Sequence, residues 1–252
     1  MTNNILALRG LNKHYGTLHA VQDLSFTVQR GEIFGILGPN GSGKTTTLEC
    51  ILGTRSRDSG SVSVLGMDPV AQRREVFRRV GVQFQDSAWQ PAITVQEMCE
   101  ATACLYRPVP DWEPLLVQFD LAKRRKKAAE SLSGGERQKL SILLACIHSP
   151  EVVFLDELTT GLDPLARRET WRFIKKLQDQ GTAVVLTSHF MDEVEHLCQR
   201  GIILKDGKKI AEGTIAELIA AGQQTMPTGT QGTNGIRSSL EEAYIHLIGG
   251  AL

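Results

Sequence analysis

Apolar residues along this chain fall into short runs, and their spacing changes from one run to the next. Leu24-Ser25-Phe26-Thr27-Val28 and Ser61-Val62-Ser63-Val64-Leu65 alternate apolar with polar, the spacing of strands with one buried face. Gly60 and Gly66 bracket the second of these. Ile5 to Leu8 and Val80 to Phe84 read as further strands. Val152 to Leu155 and Ala183 to Leu186 are wholly apolar, as in parallel strands covered on both faces. Ile33 to Leu37 is another apolar run, followed by a helix-compatible stretch from Thr45 to Leu52. Thr94-Val95-Gln96-Glu97 opens a helix with a capping box. A mostly helical region then runs to about Ser149, broken by Pro108, Pro110 and Pro114. Leu165 to Gln180 predicts a helix ended by Gly181. Asp206-Gly207, between Ile202–Leu204 and Lys209–Ala211, signals a hairpin. Thr214 to Glu217 and Ser239 to Glu242 each cap a late helix. Between them, residues 222–235 are rich in Gly, Thr and Gln and predict a flexible linker. Strands alternating with helices predict an α/β fold with a largely parallel sheet.

Composition narrows this only a little. The 252 residues carry 28 basic and 28 acidic side chains, which argues against a generally basic nucleic-acid binder. The five cysteines are scattered and form no C-x-x-C pair, so free thiols in a reducing compartment are expected. No apolar run approaches the roughly 18 residues of a membrane span, and the N-terminus has no signal-peptide core. A protein made in the cytosol, reaching a membrane only through a partner, is expected.

The chemistry concentrates in three places. Gly38-Pro39-Asn40-Gly41-Ser42-Gly43-Lys44-Thr45 matches the phosphate-binding pattern G-x-x-x-x-G-K-[ST], between an apolar strand and a helix. Its glycines let backbone N–H groups turn toward one anion, and the helix start adds partial positive charge. Lys44 reaches the β- and γ-phosphates of a nucleoside triphosphate and the Thr45 hydroxyl coordinates Mg²⁺; Thr46 follows in the same turn. Asp156-Glu157 ends the apolar run from Val152. Asp156 suits Mg²⁺, and Glu157 suits a general base beside the γ-phosphate. Leu132-Ser133-Gly134-Gly135-Glu136 reads first as a capping box for a helix from Arg137 to Ile147. Its paired glycines also let a backbone approach a phosphate closely. Two phosphate-binding helix starts thus stand in a chain whose nucleotide has one γ-phosphate.

Leu132 to Glu136 resembles the signature motif of the ATP-binding cassette (ABC) ATPases, and the resemblance spans nearly the whole chain in the family's order. It implies a P-loop NTPase core with a parallel sheet, an antiparallel β subdomain and an inserted helical subdomain at about 86–150. Residues 1–221 would form the ATPase domain, 222–235 a linker and 236–252 a helical tail. Tyr15 resembles the aromatic that stacks on adenine. Gln85 resembles the Q-loop glutamine that senses Mg²⁺ and the membrane partner, with Gln83 the other candidate. Gly161-Leu162-Asp163 resembles the D-loop, and His189 the switch histidine at the γ-phosphate. Leu158 stands where the family usually has proline. The family pairs two cassettes head to tail, which implies that Ser133, Gly134 and Gly135 serve the ATP held by the partner's P-loop.

One cassette, with about ninety residues between P-loop and signature, is unlike the translation and DNA-repair members. The basic run Lys123 to Lys127 reads as a solvated helix face. His189 to Glu195, Asp206-Gly207, Ala211 to Thr214 and Ser239 to Tyr244 resemble the type 2 export group. That resemblance implies ATP and Mg²⁺ as cofactors, a separate transmembrane permease, a second cassette that is a copy of this chain or a related one, and a place on the cytoplasmic membrane face. No nucleic acid is expected. The alternative from another class is an ABC ATPase that clamps nucleic acid or a regulatory partner.

Overall fold

Two sheets meet around a shared apolar layer in the computed structural model, which describes residues 3–84, 89–224 and 239–249. Strands β1 (Asn4–Tyr15), β2 (Leu18–Gln29) and β4 (Ser59–Val64) form an antiparallel sheet in the order β2-β1-β4. The other sheet has the order β5-β6-β7-β3-β8-β9, comprising β5 (Val80–Gln83), β6 (Val152–Asp156), β7 (Ala183–Ser188), β3 (Ile33–Leu37), β8 (Arg200–Lys205) and β9 (Lys208–Thr214). All its neighbours pair in parallel except β8 with β9, the expected hairpin.

The wholly apolar strands explain the layering. Every residue of β3, β6 and β7 is buried. Their side chains still alternate between faces. Phe34, Ile36, Phe154 and Val185 join a core with the antiparallel sheet and α1 (Lys44–Ile51). Ile33, Leu37, Val153, Leu155, Val184 and Leu186 join a second core with the helices on the other face.

Those helices include α3 (Val95–Ala103), α4 (Glu113–Gln118) and α5 (Gly134–Cys146), all inserted between β5 and β6, and α6 (Pro164–Asp179) and α7 (Met191–Leu197). The Thr94 capping box starts α3 as expected. Pro114 does not break a helix. It stands in the first turn of α4, where a missing N–H costs nothing. α7 and the short α2 (Arg73–Phe77) escape the sequence pattern because each is only a turn or two long. β1 and β2 run well beyond the alternating segments, because register shifts between Leu8 and Lys13 interrupt the alternation. That extension carries β1 to Tyr15.

The tail requires a correction. Residues 222–224, expected in the linker, finish helix α8 (Ile215–Gln224), while 225–235 lie outside the described residues. Gly222 is there for close approach rather than flexibility: a Cβ on it would stand 2.3 Å from Ala243 Cα. Ala243 belongs to α9 (Leu240–Leu247), whose Leu240 is buried in the helix-side core and donates its N–H to Glu195 Oε2 at 3.1 Å. α9 is therefore packed onto the body of the fold. Gly222→Val should undock it, since overpacking of this kind typically costs about 1–3 kcal/mol. Hydrogen exchange over Leu240–Leu247 should accelerate while exchange in β3 does not; equal protection in variant and wild type would refute the contact.

Candidate functional site

The carboxyl ends of β3 and β6 converge with Tyr15 on a cleft of about 390 Å³, lined by Tyr15, Leu18, Ala20, Asn40, Gly41, Gly43, Lys44, Thr45, Thr46 and Glu157. Gly43 is the hinge of the phosphate loop. It has φ 100°, and a Cβ would lie 2.3 Å from the Ala20 carbonyl oxygen, so only glycine fits between loop and β2. α1 begins there with no side-chain cap and no acidic residue in its first turn. Its leading N–H groups are left for an anion.

Lys44 is buried, and its Nζ donates to the carbonyls of Gly38 at 2.9 Å and Pro39 at 3.2 Å. It lies 3.8 Å from Glu157 Oε1. Burial pulls its ammonium below the usual lysine range, and the charges of Glu157 and Asp156 oppose that pull. Gly38, Pro39 and Ser42 do not line the cleft; Gly38 and Pro39 stand behind the loop as acceptors for Lys44, and Ser42 is buried beside Gly38.

Asp156 is buried at the end of β6, and burial pushes its carboxyl above the usual aspartate range. Thr187 Oγ1 donates to its Oδ1 at 2.5 Å and Thr45 Oγ1 at 3.4 Å, pulling it back. Thr187 Oγ1 also accepts the Glu157 N–H at 2.9 Å. This hydroxyl was not among the sequence candidates. The available signal was the polar end of an otherwise apolar strand, and the register pairs Asp156 with Thr187. Glu157 takes φ 50°, uncommon for a residue with a Cβ. Its side chain is nearly buried; Thr160 Oγ1 donates to Oε2 at 3.3 Å, and His189 Nδ1 stands 3.5 Å from Oε1. Leu158, the departure from the family pattern, is fully buried in the helix-side core.

The group of hard oxygen donors around Asp156 fits Mg²⁺. Thr45 and Asp156 offer two such atoms, and no cluster of three His, Cys, Asp or Glu exists among the described residues, so phosphate and water would complete the shell. Gln85 lies outside the described residues. Gln83 lines a second cleft with Gly134, Arg137, Thr160 and Gly161, and its Nε2 donates to the Phe84 carbonyl at 2.7 Å.

No residue from 132 to 136 lines the cleft of Lys44. Ser133 caps α5 through a full capping box with Glu136, and Arg124 Nε donates to Glu136 Oε1 at 2.6 Å. Gly134 has open space where a Cβ would stand, and Gly135 lies over Ala166. Part of the basic run is paired as well as exposed: Arg124 braces α5, and Arg125 pairs with Glu113 at 2.9 Å. Asp163, expected at the nucleotide, caps α6, its Oδ1 accepting from the N–H groups of Leu165 at 2.9 Å and Ala166 at 3.0 Å. The Tyr15 ring is partly exposed, with the Lys13 ammonium 5.5 Å and the Arg55 guanidinium 5.6 Å from its centroid.

A family described as "ABC transporter" matches residues 21–160. The Nod factor export ATP-binding protein I of Burkholderia lata is 39% identical over 222 residues, covering 84% of this chain and 71% of that protein. The protein of the same name in Ralstonia nicotianae is 38% identical over 220 residues, covering 85% and 68%. A solved structure described as the ATP binding subunit of an ABC transporter superposes with a TM-score of 0.83 at 26% identity, covering 97% of this chain and 99% of that one. A nucleotide-free ATP-binding cassette from an ABC transporter, 23% identical with a TM-score of 0.75, shares the fold over 84% of this chain.

Thr187→Val keeps the side-chain shape and removes both bonds of the hydroxyl. Losing the bond to the Glu157 N–H and the shorter of the two bonds to Asp156 Oδ1, with only the longer Thr45 contact kept, should destabilise the fold by about 1–3 kcal/mol. A urea midpoint equal to wild type would show that the hydroxyl does not join β6 to β7.

Proposed function

This chain belongs to the ABC transporter family, and from that premise we propose that it is the subunit that binds and hydrolyses ATP for an exporter with a separate membrane permease. The observation that carries the reading is one cleft holding Lys44, Thr45 and Glu157 beside the buried Asp156, with the glycines of the 132–136 segment on another face of the same chain. A chain built so has half of each of two sites. Head-to-tail pairing with a second cassette, a copy of itself in the simplest case, brings Ser133, Gly134 and Gly135 to the ATP held by the partner's P-loop. The capped start of α5 holds them as a rigid platform.

Within one cleft the proposed roles follow from position. Tyr15 stacks on adenine. Asn40, Gly41, Gly43 and Thr46 surround the phosphates, and Lys44 exchanges the Gly38 and Pro39 carbonyls for phosphate oxygens. Mg²⁺, when held by Thr45 and Asp156, offsets phosphate charge. Glu157 accepts a proton from water, and His189, within reach of the same carboxylate, contacts the γ-phosphate. Gln85 reports nucleotide state to the permease. Asp163, its carboxylate committed to α6, sets the D-loop backbone and does not bind nucleotide through its side chain. Residues 1–221 form the ATPase domain, 222–224 extend its last helix, and the 236–252 tail docks back on it through α9.

Export is favoured by the relatives, which are named as export ATP-binding proteins. No helix among the described residues is long and apolar enough to cross a membrane. Attachment to the cytoplasmic membrane face through the permease is the corresponding proposal.

Glu157→Gln tests the reaction. The amide keeps the shape and cannot take the proton, so hydrolysis should fall by about 10²–10⁴ while ATP binding persists. ATP should also hold the variant as a dimer on size exclusion. Turnover near wild type would remove Glu157 from the mechanism.

Lys44→Ala and Ser133→Arg test the composite site together. The first should lose ATP binding. The second should bind ATP as a monomer and hydrolyse none. Mixed, they should recover at most one working site per dimer. Full-rate hydrolysis by Ser133→Arg alone would defeat the head-to-tail arrangement.

A further inference from the structure

Glu193 is a fully buried carboxyl in α7 with no role in the steps above. A leucine or methionine would fill the position without the cost of burying an acid, so its retention in the core asks for a reason. Its surroundings supply one. The Trp171 indole N–H, from α6, donates to Oε1 at 3.2 Å. Oε2 has no hydrogen-bond partner. Neither has the buried Thr159 Oγ1, two residues beyond Glu157 in the turn that leads to Gly161. Thr159 and Ser188 both bear on the Glu193 carboxyl, and Ser188 immediately precedes His189. The Ser188 Oγ in turn accepts the Phe190 N–H at 3.0 Å, fixing the backbone on both sides of His189.

We propose that Glu193 is a positioning residue for ATP hydrolysis: its carboxyl ties the Glu157–Asp163 turn, through Thr159, to the His189 junction, through Ser188, and both to α6 through Trp171. The two unpartnered atoms give this tie two settings. A small shift of the turn joins Thr159 Oγ1 to Glu193 Oε2, and buried polar atoms favour the setting that pairs them. Glu157 and His189, which already stand 3.5 Å apart, are carried by the two segments so joined. The charged groups nearby are few. Arg167 of α6 bears on the carboxyl, but its guanidinium is held by both oxygens of Asp192 at 2.8 Å. Cys198, at the end of α7, is a thiol that burial keeps protonated. Burial likewise raises Glu193 above the usual glutamate range, against the pull of its hydrogen-bonding neighbours and Arg167.

The inference rests on the proposed hydrolysis, and the test separates the two. Steady-state ATPase rates and nucleotide affinity are measured for wild type, Glu193→Gln, Glu193→Leu, Thr159→Val, Trp171→Phe and the Thr159→Val/Glu193→Leu double variant. Gln keeps the shape, an acceptor for the Trp171 N–H and a polar group facing Thr159, and should keep kcat close to wild type. Leu should lower kcat by about tenfold to a hundredfold, the scale of small misplacements in an active site. KM and ATP affinity should hold, because Glu193 does not line the nucleotide cleft. Thr159→Val should lower kcat and add nothing to the Leu variant, as expected for one shared contact. Wild-type kcat in Glu193→Leu, a matching loss of ATP affinity, or additive effects of the pair would each overturn the proposal. Should Glu193→Leu not fold, Thr159→Val and Trp171→Phe, which each delete one polar group, decide it: unchanged kcat in both overturns it. A wild-type protein that hydrolyses no ATP would instead overturn the functional reading.

Discussion

The parallel register of β6, β7 and β3 is the constraint on which the site depends. It sets Asp156 beside Thr187 and Leu37 beside Ser188, so three distant segments end at one edge of the sheet. Thr187 then fastens the acid that suits a metal to the backbone of the acid that suits a base, using a single hydroxyl. The strands hold this register because they are apolar on both faces. A one-residue slip would exchange the residues of the two cores, matching Phe34 and Phe154 to a space shaped for Ile33 and Val153.

Much of this was legible beforehand where the residues have little choice. A run such as Val152 to Leu155 fits a covered parallel strand, and a Gly-x-Gly-Lys-Thr stretch behind such a run fits a phosphate loop. The cleft-lining part of the loop, Asn40 to Thr46, could be named for that reason, although Ser42 proves to face inward. The misreadings arise where one residue type serves two purposes. Gly222 was read as flexibility and is a contact surface. Pro114 was read as a break and is a helix start. Asp163 was read at the nucleotide, and its carboxylate is also the cap of α6. Composition cannot separate these pairs: Gly222 is decided by Ala243, distant in sequence, and Pro114 and Asp163 by where their own helices begin. Thr187 and Glu193 went unnoticed for a related reason. Each acts on a neighbour through a hydrogen bond across strands or helices, which no local motif records.

Several ion pairs around the helical insertion bear on the same geometry. Arg124 grips the glutamate that caps α5, so the orientation of Ser133 is linked to a stretch of chain that precedes it by several residues. Arg125 reaches back to Glu113 and lies over Trp112, 5.3 Å from its ring centroid. These exposed pairs contribute little stability one by one. Their value here is directional: Arg124 fixes how α5 sits on the short turns before it, and Arg125 ties those turns to the start of α4.

The Lys44 ammonium is already satisfied by its own loop. With the carbonyls of Gly38 and Pro39 as acceptors, nucleotide arrival in the proposed role would be a swap of acceptors rather than the rescue of a stranded charge. In the proposed reaction the same swap would run in reverse when product leaves, the loop then competing for the ammonium against the departing phosphate. Such a loop resets itself. Its affinity is set by the difference between two sets of oxygen atoms, which favours a site that releases its product readily over one that grips it as tightly as it could.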